Sequence, residues 1–403
     1  MKVSHSQYYT SKEIASLMIN NIDKEYPHRI LDLGAGNGSL IGAAAAKWKD
    51  SDYIVVDIDN KNCEILNSYK YKTSNISCLI PDLDKATNIA YNSIDVAVCN
   101  PPYEHIENAS YIQEILELAR LSDVIVEGKM TSDIVFLAYN LLFLKANGVL
   151  GIIVPYSIMT GRLYNRLRQK LIENYYIERI IELPERSFSY TEAKTGMLII
   201  HKDCSERKPT KLNTVLDGYK LSQSLEVPNK LLIDRMDYTY NNWLLSRKIS
   251  NNQNNCNLIK IFRGRFTHHE LKKMNVPYFH TTCYTKKDIN YNYVYNCKHS
   301  IASAGTFLVA RVGKRCIGNV LYVESGNIII SDCIYGIVVP QAYIEKFKSY
   351  FRSDEYKEYM KIISRGVCSL YLCKGDIERM ILNKLHSFQK EETSLLKNNR
   401  NIK

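Results

Sequence analysis

Four consecutive residues, Asn100, Pro101, Pro102 and Tyr103, follow an apolar run typical of a buried strand. Ligands of open parallel sheets bind beyond the carboxyl ends of the strands. Two successive prolines remove two backbone N–H donors there, which leaves carbonyl acceptors and the Asn100 side chain facing a site. Such acceptors suit an NH2 group that donates two hydrogen bonds and so aims its nitrogen lone pair at an electrophile. The flat ring of Tyr103 could stack on a planar group.

A second motif, Asp32-Leu33-Gly34-Ala35-Gly36-Asn37-Gly38, lies between an expected strand and an expected helix. Glycines let a ligand approach the backbone, and the N-terminus of the helix presents unpaired N–H groups. Asp57, at the end of the next strand, suits a pair of ribose hydroxyls. Proteins that bind NAD and proteins that bind S-adenosylmethionine (SAM) share this pattern. The Asp32 carboxylate favours SAM, because it can pair with the ammonium group of the methionine moiety.

Strands and helices must alternate to position these two motifs, and the first half of the chain has that pattern. Seven apolar strands separated by helical periodicity predict an α/β fold with a doubly wound sheet over residues 1–204. The third of these strands is predicted at residues 76–82. Residues 205–257 are polar and aperiodic, which predicts a linker region. Short strands and two long helical stretches then predict a mixed α+β domain over residues 258–403.

Charge is distributed unevenly between the two halves. Residues 1–240 carry 27 Lys and Arg against 30 Asp and Glu, whereas residues 241–403 carry 26 against 12. A basic module beside a nearly neutral one is expected of a protein that binds polyanions. No apolar run approaches the roughly 20 residues of a membrane helix, and no signal peptide is visible. The 11 cysteines lack metal-like spacing, which predicts reduced thiols in the cytoplasm and no metal site.

The order of the motifs YYTSKE, DLGAGNG, VVDID, PDL and NPPY, with a basic domain after them, resembles the gamma-class (TaqI-type) adenine-N6 DNA methyltransferases. The resemblance covers essentially the whole chain and implies the seven-stranded sheet of class I SAM-dependent methyltransferases. It also implies SAM as cofactor and methylation of N6 of an adenine flipped out of double-stranded DNA. The expected role is the modification enzyme of a prokaryotic restriction-modification system, associated with the nucleoid, whose endonuclease is a separate chain.

The resemblance also assigns site residues by motif position. At the cofactor it implies Thr10, Asp32, Gly34 and Gly36 around the methionine moiety, Asp57 at the ribose, Ile58 and Phe136 at the adenine, and Asp82 with Leu83 at the adenine amino group. Asn100 and Pro101 would bind the target amino group, with Pro102 in the same turn. Tyr103 would stack on one face of the flipped base and Phe188 on the other, with Tyr190 as an alternative to Phe188.

The C-terminal segments GTFLVARVGKR and ISDCIYGIVVP, followed by a long helix, look like the target-recognition domains of type I restriction specificity subunits. Cations beside short polar side chains suit phosphates and groove edges. The candidate DNA contacts are Arg263, Arg265, Lys272, Lys273, Arg311, Lys314 and Arg315.

Three other functions stay open from the sequence. HemK-type methyltransferases act on protein glutamine and also use NPPY, but such chains lack a basic domain after the last strand. An RNA base N-methyltransferase fits the same catalytic motifs. A non-catalytic DNA-binding specificity subunit is the alternative of another class, and the intact NPPY and glycine motifs argue against it. The recognised DNA sequence, the oligomeric state, action alone or as a subunit, and the choice between host protection and epigenetic signalling stay open.

Overall fold

The computed structural model describes residues 9–107, 109–124, 130–185, 187–188, 194–205, 207–246, 258–286, 289, 300–366 and 369–400. The chain forms two compact units, residues 1–242 and 243–403. We call them the first and the second unit.

The first unit is built on a ten-stranded sheet. Its strands are β1 (Arg29–Leu33), β2 (Asp52–Asp57), β3 (Lys72–Asn75), β4 (Ile94–Cys99), β5 (Leu144–Pro155), β6 (Tyr176–Glu182), β7 (Thr195–His201), β8 (Thr210–Leu216), β9 (Lys220–Leu221) and β10 (Leu225–Val227). Its helices are α1 (Lys12–Asn20), α2 (Ser39–Lys47), α3 (Asn60–Ser68), α4 (Leu83–Thr87), α5 (Ser110–Leu118), α6 (Ser132–Phe143), α7 (Tyr156–Thr160), α8 (Asn165–Asn174), α9 (Asn229–Asp234) and α10 (Tyr238–Ser246), which runs across the boundary of the units.

The strand order is β10-β8-β6-β7-β5-β4-β1-β2-β3, and β9 pairs with β8. The pairs β3-β2, β2-β1, β1-β4 and β4-β5 are parallel, whereas β7 is antiparallel to both of its neighbours. Every residue of β4 is buried, as expected for a central strand covered on both faces. Because the parallel strands run the same way, the loops after β1, β2 and β4 leave the sheet at one edge.

The third strand corrects the prediction for residues 76–82. The strand comprises Lys72–Asn75, and residues 76–82 form a loop that leads into α4. The last residue pair between β2 and β3 is Asp57 with Asn75. Since β2 ends at Asp57, residues 76–82 have no strand to pair with. Their apolar side chains therefore belong to a loop and not to a strand.

The linker predicted at residues 205–257 is also wrong over its described part. Strand β8 lies in this segment and pairs in parallel with β6, so the sheet continues past its seventh strand. Strand β10 then pairs with β8, and helices α9 and α10 follow. The strands of this segment lie at the margin of the sheet, where one face of the sheet can be exposed to solvent. The segment can therefore be polar and still form strands.

Arg168 on α8 ties this segment to the rest of the first unit. Its side chain is fully buried. The guanidinium donates to the carbonyl oxygens of Ile233 and Asp234, both at 2.9 Å, and to those of Ile158 at 2.5 Å and Gly161 at 2.9 Å. The Arg168 guanidinium therefore donates to backbone carbonyls of α7, of the turn that follows α7 and of α9, and so links these three segments.

Replacing Arg168 with methionine is expected to lower the free energy of unfolding by about 3 kcal/mol, because several buried carbonyl groups would lose their donor. The matched control is Arg166→Met on the same helix, since that side chain is 42% exposed. Urea denaturation of the full chain, followed by circular dichroism, measures both. Equal shifts in the two variants would show that α9 is not held through Arg168.

The second unit has a mixed α+β architecture, as predicted. One sheet has the order β11-β17-β14-β15 and the other β12-β16-β13. The strands are β11 (Lys260–Arg263), β12 (Tyr278–Phe279), β13 (Ile301–Ser303), β14 (Thr306–Ala310), β15 (Val320–Tyr322), β16 (Asn327–Ile330) and β17 (Ile334–Val338). The helices are α11 (His268–Lys273), α12 (Ile344–Arg352), α13 (Asp354–Ile363) and α14 (Lys374–Arg400).

None of the helices in the described part of the chain is long and apolar enough to span a membrane. Within the same residues, no group of three or more His, Cys, Asp and Glu side chains could hold a metal ion.

Candidate active site

An open cleft of about 770 Å3 lies in the first unit. It is formed by the loops that follow β1, β2, β3 and β4, with contributions from the segment before α1 and from α6. The lining residues are Tyr9, Gly34, Gly36, Asp57, Ile58, Ser77, Cys78, Leu79, Asn100, Pro101, Pro102, Glu104 and Phe136. Both motifs singled out in the sequence therefore meet in one cleft.

The glycine turn needs its glycines for conformation and for space. Gly34 has φ +74° and Gly36 has φ +55°, values that L side chains rarely adopt. A Cβ atom on Gly34 would lie 3.1 Å from the Phe136 ring. The backbone N–H groups of Gly34 and Ala35 donate to the Val56 carbonyl at 2.8 and 3.1 Å. The turn is thus tied to β2 and leaves its backbone close to the cleft.

Asp57 lines the cleft, but its carboxylate also holds the surrounding loops. Its Oδ2 accepts from the Gly36 N–H at 2.7 Å, and its Oδ1 accepts from the Asp59 N–H at 2.8 Å and from Asn62 Nδ2 at 3.3 Å. A carboxylate offers about four lone-pair sites, so acceptor capacity is left for a ligand hydroxyl. Its role at a ribose stays a prediction.

Asp32, two residues before Gly34, is the most unusual group near the cleft. It is buried, and neither of its carboxylate oxygens has a hydrogen-bond partner of good geometry among the described residues. Burial and the neighbouring Asp57 raise the pKa of Asp32 well above its usual value, and the Ile41 backbone N–H offsets only part of that rise. A buried carboxylate without a partner is costly, so this position is suited to a cationic ligand group.

The wall of the cleft after β3 consists of Ser77, Cys78 and Leu79. The Tyr111 hydroxyl donates to the Leu79 carbonyl at 3.0 Å, and the Tyr139 hydroxyl donates to the Ile80 carbonyl, so helices α5 and α6 fix this loop. The sequence did not single out these residues, because they fall inside the segment that was predicted as a strand. A prediction that ended the third strand before residue 76 would have placed Ser77, Cys78 and Leu79 in the loop beside the site.

Asp82 and Leu83, predicted at the cofactor adenine, are not among the residues that line the cleft. The Asp82 side chain is 64% exposed and pairs with Lys85 at 2.8 Å, whereas Leu83 is fully buried. The cause is again the early end of β3, since the loop has already passed the cleft when it reaches Asp82. By contrast, Ile58 and Phe136 do line it, and Ile58 is 52% exposed, as an apolar surface for a planar ligand group would be.

The turn after β4 places its acceptors in the cleft. Ser132, the first residue of α6, donates its hydroxyl to the Pro102 carbonyl at 2.6 Å and accepts from the Glu104 N–H at 3.0 Å. The Ser132 N–H in turn donates to the Glu104 carbonyl at 2.9 Å. These bonds lock the end of the turn. Asn100 and Pro101, which precede this locked segment, both line the cleft.

The Asn100 carboxamide is held at both ends. Its Nδ2 donates to Thr10 Oγ1 at 3.0 Å, and its Oδ1 accepts from the Tyr103 hydroxyl at 3.2 Å. Thr10 was predicted at the methionine moiety of the cofactor, but it does not line the cleft and contacts Asn100 instead. Its neighbour Tyr9 lines the cleft beside Gly36. In this motif it is therefore Tyr9, the residue before Thr10, that lines the cleft.

Phe188 is not placed to stack on a ligand. It is 4% exposed and packs in the main apolar core with Ile181, Leu183 and Met197. Its burial therefore does not support the prediction that it covers one face of a flipped base. Its sequence position, in the loop between β6 and β7, is compatible with either role, and only the packing distinguishes them. Tyr190, the alternative, lies outside the described residues.

Residues 2–261 match the family model of the N-6 DNA methylases, which is more than half of the chain. The chain belongs to the N-6 DNA methylase family. Its first unit has an α/β architecture built on a central mixed sheet, as the sequence predicted.

Curated relatives of this family member include the methylase subunit of the type I restriction enzyme MjaVII of Methanocaldococcus jannaschii. It is 24% identical over 262 residues, which is 60% of this chain and 45% of the relative. The rRNA N(6)-adenosine-methyltransferase metl-5 of Caenorhabditis elegans is 30% identical over 125 residues, which is 29% of this chain and 58% of the relative. The chain spans about half the length of the curated relatives it matches.

Among solved structures, the type IIG restriction endonuclease BpuSI matches with a TM-score of 0.51 at 13% identity. The match covers 92% of this chain and 58% of that chain. At this identity the likeness concerns the fold alone.

In this N-6 DNA methylase family member, the candidate DNA contacts of the second unit fall into two groups. Arg263 and Arg311 both donate to the Asp332 carbonyl, at 2.8 and 2.9 Å, and Arg263 also pairs with the Asp332 carboxylate at 3.0 Å. The Arg311 side chain is only 15% exposed, so its prediction as a DNA contact is not supported by its surroundings. The other candidates are exposed: Arg265, Lys272, Lys273, Lys314 and Arg315.

A second buried carboxylate of the family member lies at the start of α6, beside Ser132. Asp133 is buried, and its oxygens have no hydrogen-bond partner of good geometry among the described residues. Burial raises the pKa of Asp133 to about 6, and the nearby His105 offsets only part of that rise. A raised pKa means that the folded chain holds this proton more tightly than the unfolded chain. The resulting stability is complete below about pH 4 and is lost as the pH rises through about 6.

Asp133→Asn is expected to raise the free energy of unfolding by about 3 kcal/mol at pH 8, with little change near pH 4, because it removes the cost of the buried charge. Thermal denaturation at several pH values measures the effect. The control is Asp52→Asn, whose side chain lies at the exposed start of β2. A pH-independent difference between Asp133→Asn and the parent chain would contradict this interpretation.

Proposed function

We propose that this chain transfers a methyl group from SAM to N6 of an adenine in double-stranded DNA, as the modification enzyme of a restriction-modification system. One observation carries the proposal: the Asn100-Pro101-Pro102 turn and the glycine turn line a single cleft in a member of the N-6 DNA methylase family. The type I methylase relative supports the restriction-modification setting.

The residues of the cleft fit SAM in charge and in shape. The backbone of Gly34 and Gly36 permits close approach, and Ile58 with Phe136 offers apolar surface for the adenine. The buried Asp32 carboxylate does not itself line the cleft, but it lies two residues before Gly34 and suits the ammonium group. Among the described residues, the charged side chains that line the cleft are Asp57 and Glu104, and their negative charge suits a cationic cofactor. When bound, SAM supplies an electrophilic methyl group on its sulfonium centre.

The turn after β4 would receive the target amino group. Asn100 Oδ1 and the Pro101 carbonyl are two acceptors for the two N–H bonds of N6, and accepting both directs the nitrogen lone pair outward. A paired adenine must first be flipped out, which costs a few kcal/mol of unpairing and unstacking. Stacking on Tyr103 would return about 1–3 kcal/mol. The chain then acts chiefly by positioning the amino group, and the proton on N6 leaves after transfer.

The second unit would hold the DNA. Its net charge is +14, from 26 Lys and Arg against 12 Asp and Glu, whereas residues 1–240 have a net charge of −3. Such a footprint favours binding to phosphates, with affinity that falls as salt rises. We propose that it is the target-recognition domain and that a separate endonuclease chain completes the system.

The triple variant Arg265→Ala, Lys272→Ala and Lys273→Ala is expected to weaken binding to duplex DNA about 10-fold to 100-fold at low salt and to reduce the salt dependence of binding. The control is the triple variant Lys357→Ala, Lys361→Ala and Lys390→Ala, which removes the same charge from exposed positions on α13 and α14. Fluorescence anisotropy over a salt series compares them. Equal losses would mean that charge alone, and not this surface, determines binding.

Methylation of RNA is the second candidate function, and the similarity to the rRNA adenosine methyltransferase favours it. Expression of the chain in a bacterial host that lacks N6-methyladenine separates the two. We expect N6-methyladenine in genomic DNA within one sequence motif, and none from Asn100→Ala. Modified adenosine in ribosomal RNA with unmodified DNA would favour the RNA function, and methylated protein glutamine would favour a HemK-type enzyme.

A further inference from the structure

We propose that Thr10 is a positioning residue that holds the Asn100 carboxamide in place for methyl transfer. This inference rests on the proposed function, because it concerns how Asn100 receives an amino group. It assigns to Thr10 an action through Asn100 in place of the cofactor contact implied by the sequence resemblance.

The two ends of a carboxamide have almost the same shape but opposite hydrogen-bonding character. The oxygen accepts, whereas the NH2 group only donates. The target amino group is a donor, so it needs the oxygen end of Asn100. If the carboxamide were flipped, its NH2 group would face the N–H donors of the target. The carboxamide of Asn100 therefore has to be held with its oxygen toward the target, and a partner outside the cleft can hold it without occupying the site of the base.

Thr10 is that partner in the structure. Its Oγ1 accepts from Asn100 Nδ2 at 3.0 Å, across 90 residues of sequence. Thr10 is only 7% exposed and does not line the cleft. With the NH2 end occupied there, the oxygen end of Asn100 is turned away from Thr10. The Tyr103 hydroxyl donates to that oxygen at 3.2 Å.

Thr10 is itself rigidly placed. The next residue, Ser11, caps α1, with its hydroxyl accepting from the Ile14 N–H at 3.3 Å and its carbonyl from the Ala15 N–H at 3.0 Å. Ile14 and Ala15 are fully buried in the main core. A β-branched side chain also has few rotamers. The acceptor for Asn100 is thus fixed to the core through the start of a helix.

The Tyr103 hydroxyl donates to the same Asn100 oxygen that would accept from the target amino group. If the Tyr103 ring stacks on the incoming base, its hydroxyl bond to Asn100 is exchanged for one from the base. The bond to Thr10 persists through that exchange, because it engages the other end of the carboxamide. Thr10 therefore keeps the acceptor in place at the moment when Tyr103 releases it.

The variants Thr10→Ser and Thr10→Ala, which differ by one hydroxyl oxygen, test this assignment, with Thr10→Val as the isosteric variant. We expect single-turnover transfer at saturating SAM to fall about 10-fold or more in Thr10→Ala and Thr10→Val and to stay within about 3-fold in Thr10→Ser. The Kd of SAM, measured by calorimetry, should change less than about 2-fold in all three. A weakened SAM Kd with an unchanged single-turnover rate would overturn the proposal and make Thr10 a cofactor contact. Equal rates for Thr10→Ser and Thr10→Ala would overturn it as well.

A double-mutant cycle of Thr10→Ala with Asn100→Ala measures the same bond without any substrate. We expect their urea midpoints to shift non-additively, since the Thr10–Asn100 bond can be lost only once. Additive shifts would overturn the proposal. If the parent chain shows this coupling but transfers no methyl group to DNA, the proposed function fails and the Thr10–Asn100 bond stands.

Discussion

Asn100→Ala is expected to lower the rate of methyl transfer about 1,000-fold or more. The substitution removes one of the two acceptors proposed for the target amino group, and it leaves the Tyr103 hydroxyl and Thr10 without their shared partner. Loss of a single preorganised hydrogen-bonding group in an active site costs about 100-fold to 1,000-fold. Here the lone pair of the nucleophile would lose its direction as well.

Binding of SAM separates this role from general damage to the cleft. The Kd of SAM should change less than about 3-fold in Asn100→Ala, because a loss confined to the reacting step leaves cofactor affinity intact. Asn67→Ala, at an exposed position of α3, is the control and should retain the parent rate. Asn100→Asp keeps an acceptor and should be more active than Asn100→Ala. Transfer by Asn100→Ala at the parent rate would remove Asn100 from the reaction.

Asp32→Asn is expected to weaken SAM binding about 100-fold. Leaving one partner of a buried ion pair without the other costs a few kcal/mol. Asparagine has the same shape and no charge, so the substitution should not unfold the chain, since it removes a carboxylate that is buried without a partner. The matched control is Asp82→Asn, because the exposed Asp82 lies away from the cleft and should not affect binding.

The pH dependence of SAM binding provides a second test of the role proposed for Asp32. The pKa of Asp32 is raised before the cofactor enters, so the carboxyl group holds its proton up to a higher pH than usual. An ammonium group beside it would lower that pKa, and binding would then release a proton and strengthen as the pH rises. Calorimetry in buffers of different ionisation enthalpy should detect this release in the parent chain and not in Asp32→Asn. Equal proton release in both would exclude Asp32 as the partner of the ammonium group.

The parts of the site that the sequence predicted are those encoded locally. The glycine turn is recognisable because residues with positive φ must be glycine there, and the turn after β4 because two prolines follow a buried strand. Strand alternation then brings both to one edge of the sheet. Gly34, Gly36, Asp57, Ile58 and Phe136 all line the cleft, and their roles at the cofactor stay predictions.

The parts that the sequence did not predict depend on contacts between distant segments. Thr10 meets Asn100 only because α1 packs on the sheet, and Phe188 is buried because the core has room for its ring. The sequence predicted that Arg311 would contact DNA, but in the folded chain its side chain donates to the Asp332 carbonyl. The sequence of β8 is typical of a polar linker, but it forms a strand because it pairs with β6. In each case the local pattern allows two roles, and the partner selects one.

The most direct test of the central claim is transfer of labelled methyl from SAM to mixed-sequence duplex DNA by the purified full chain, followed by digestion to nucleosides. The account predicts label in N6-methyldeoxyadenosine, and no label when Asn100 is replaced by alanine. Label in another nucleoside, or unlabelled DNA from a preparation that binds SAM, would contradict it.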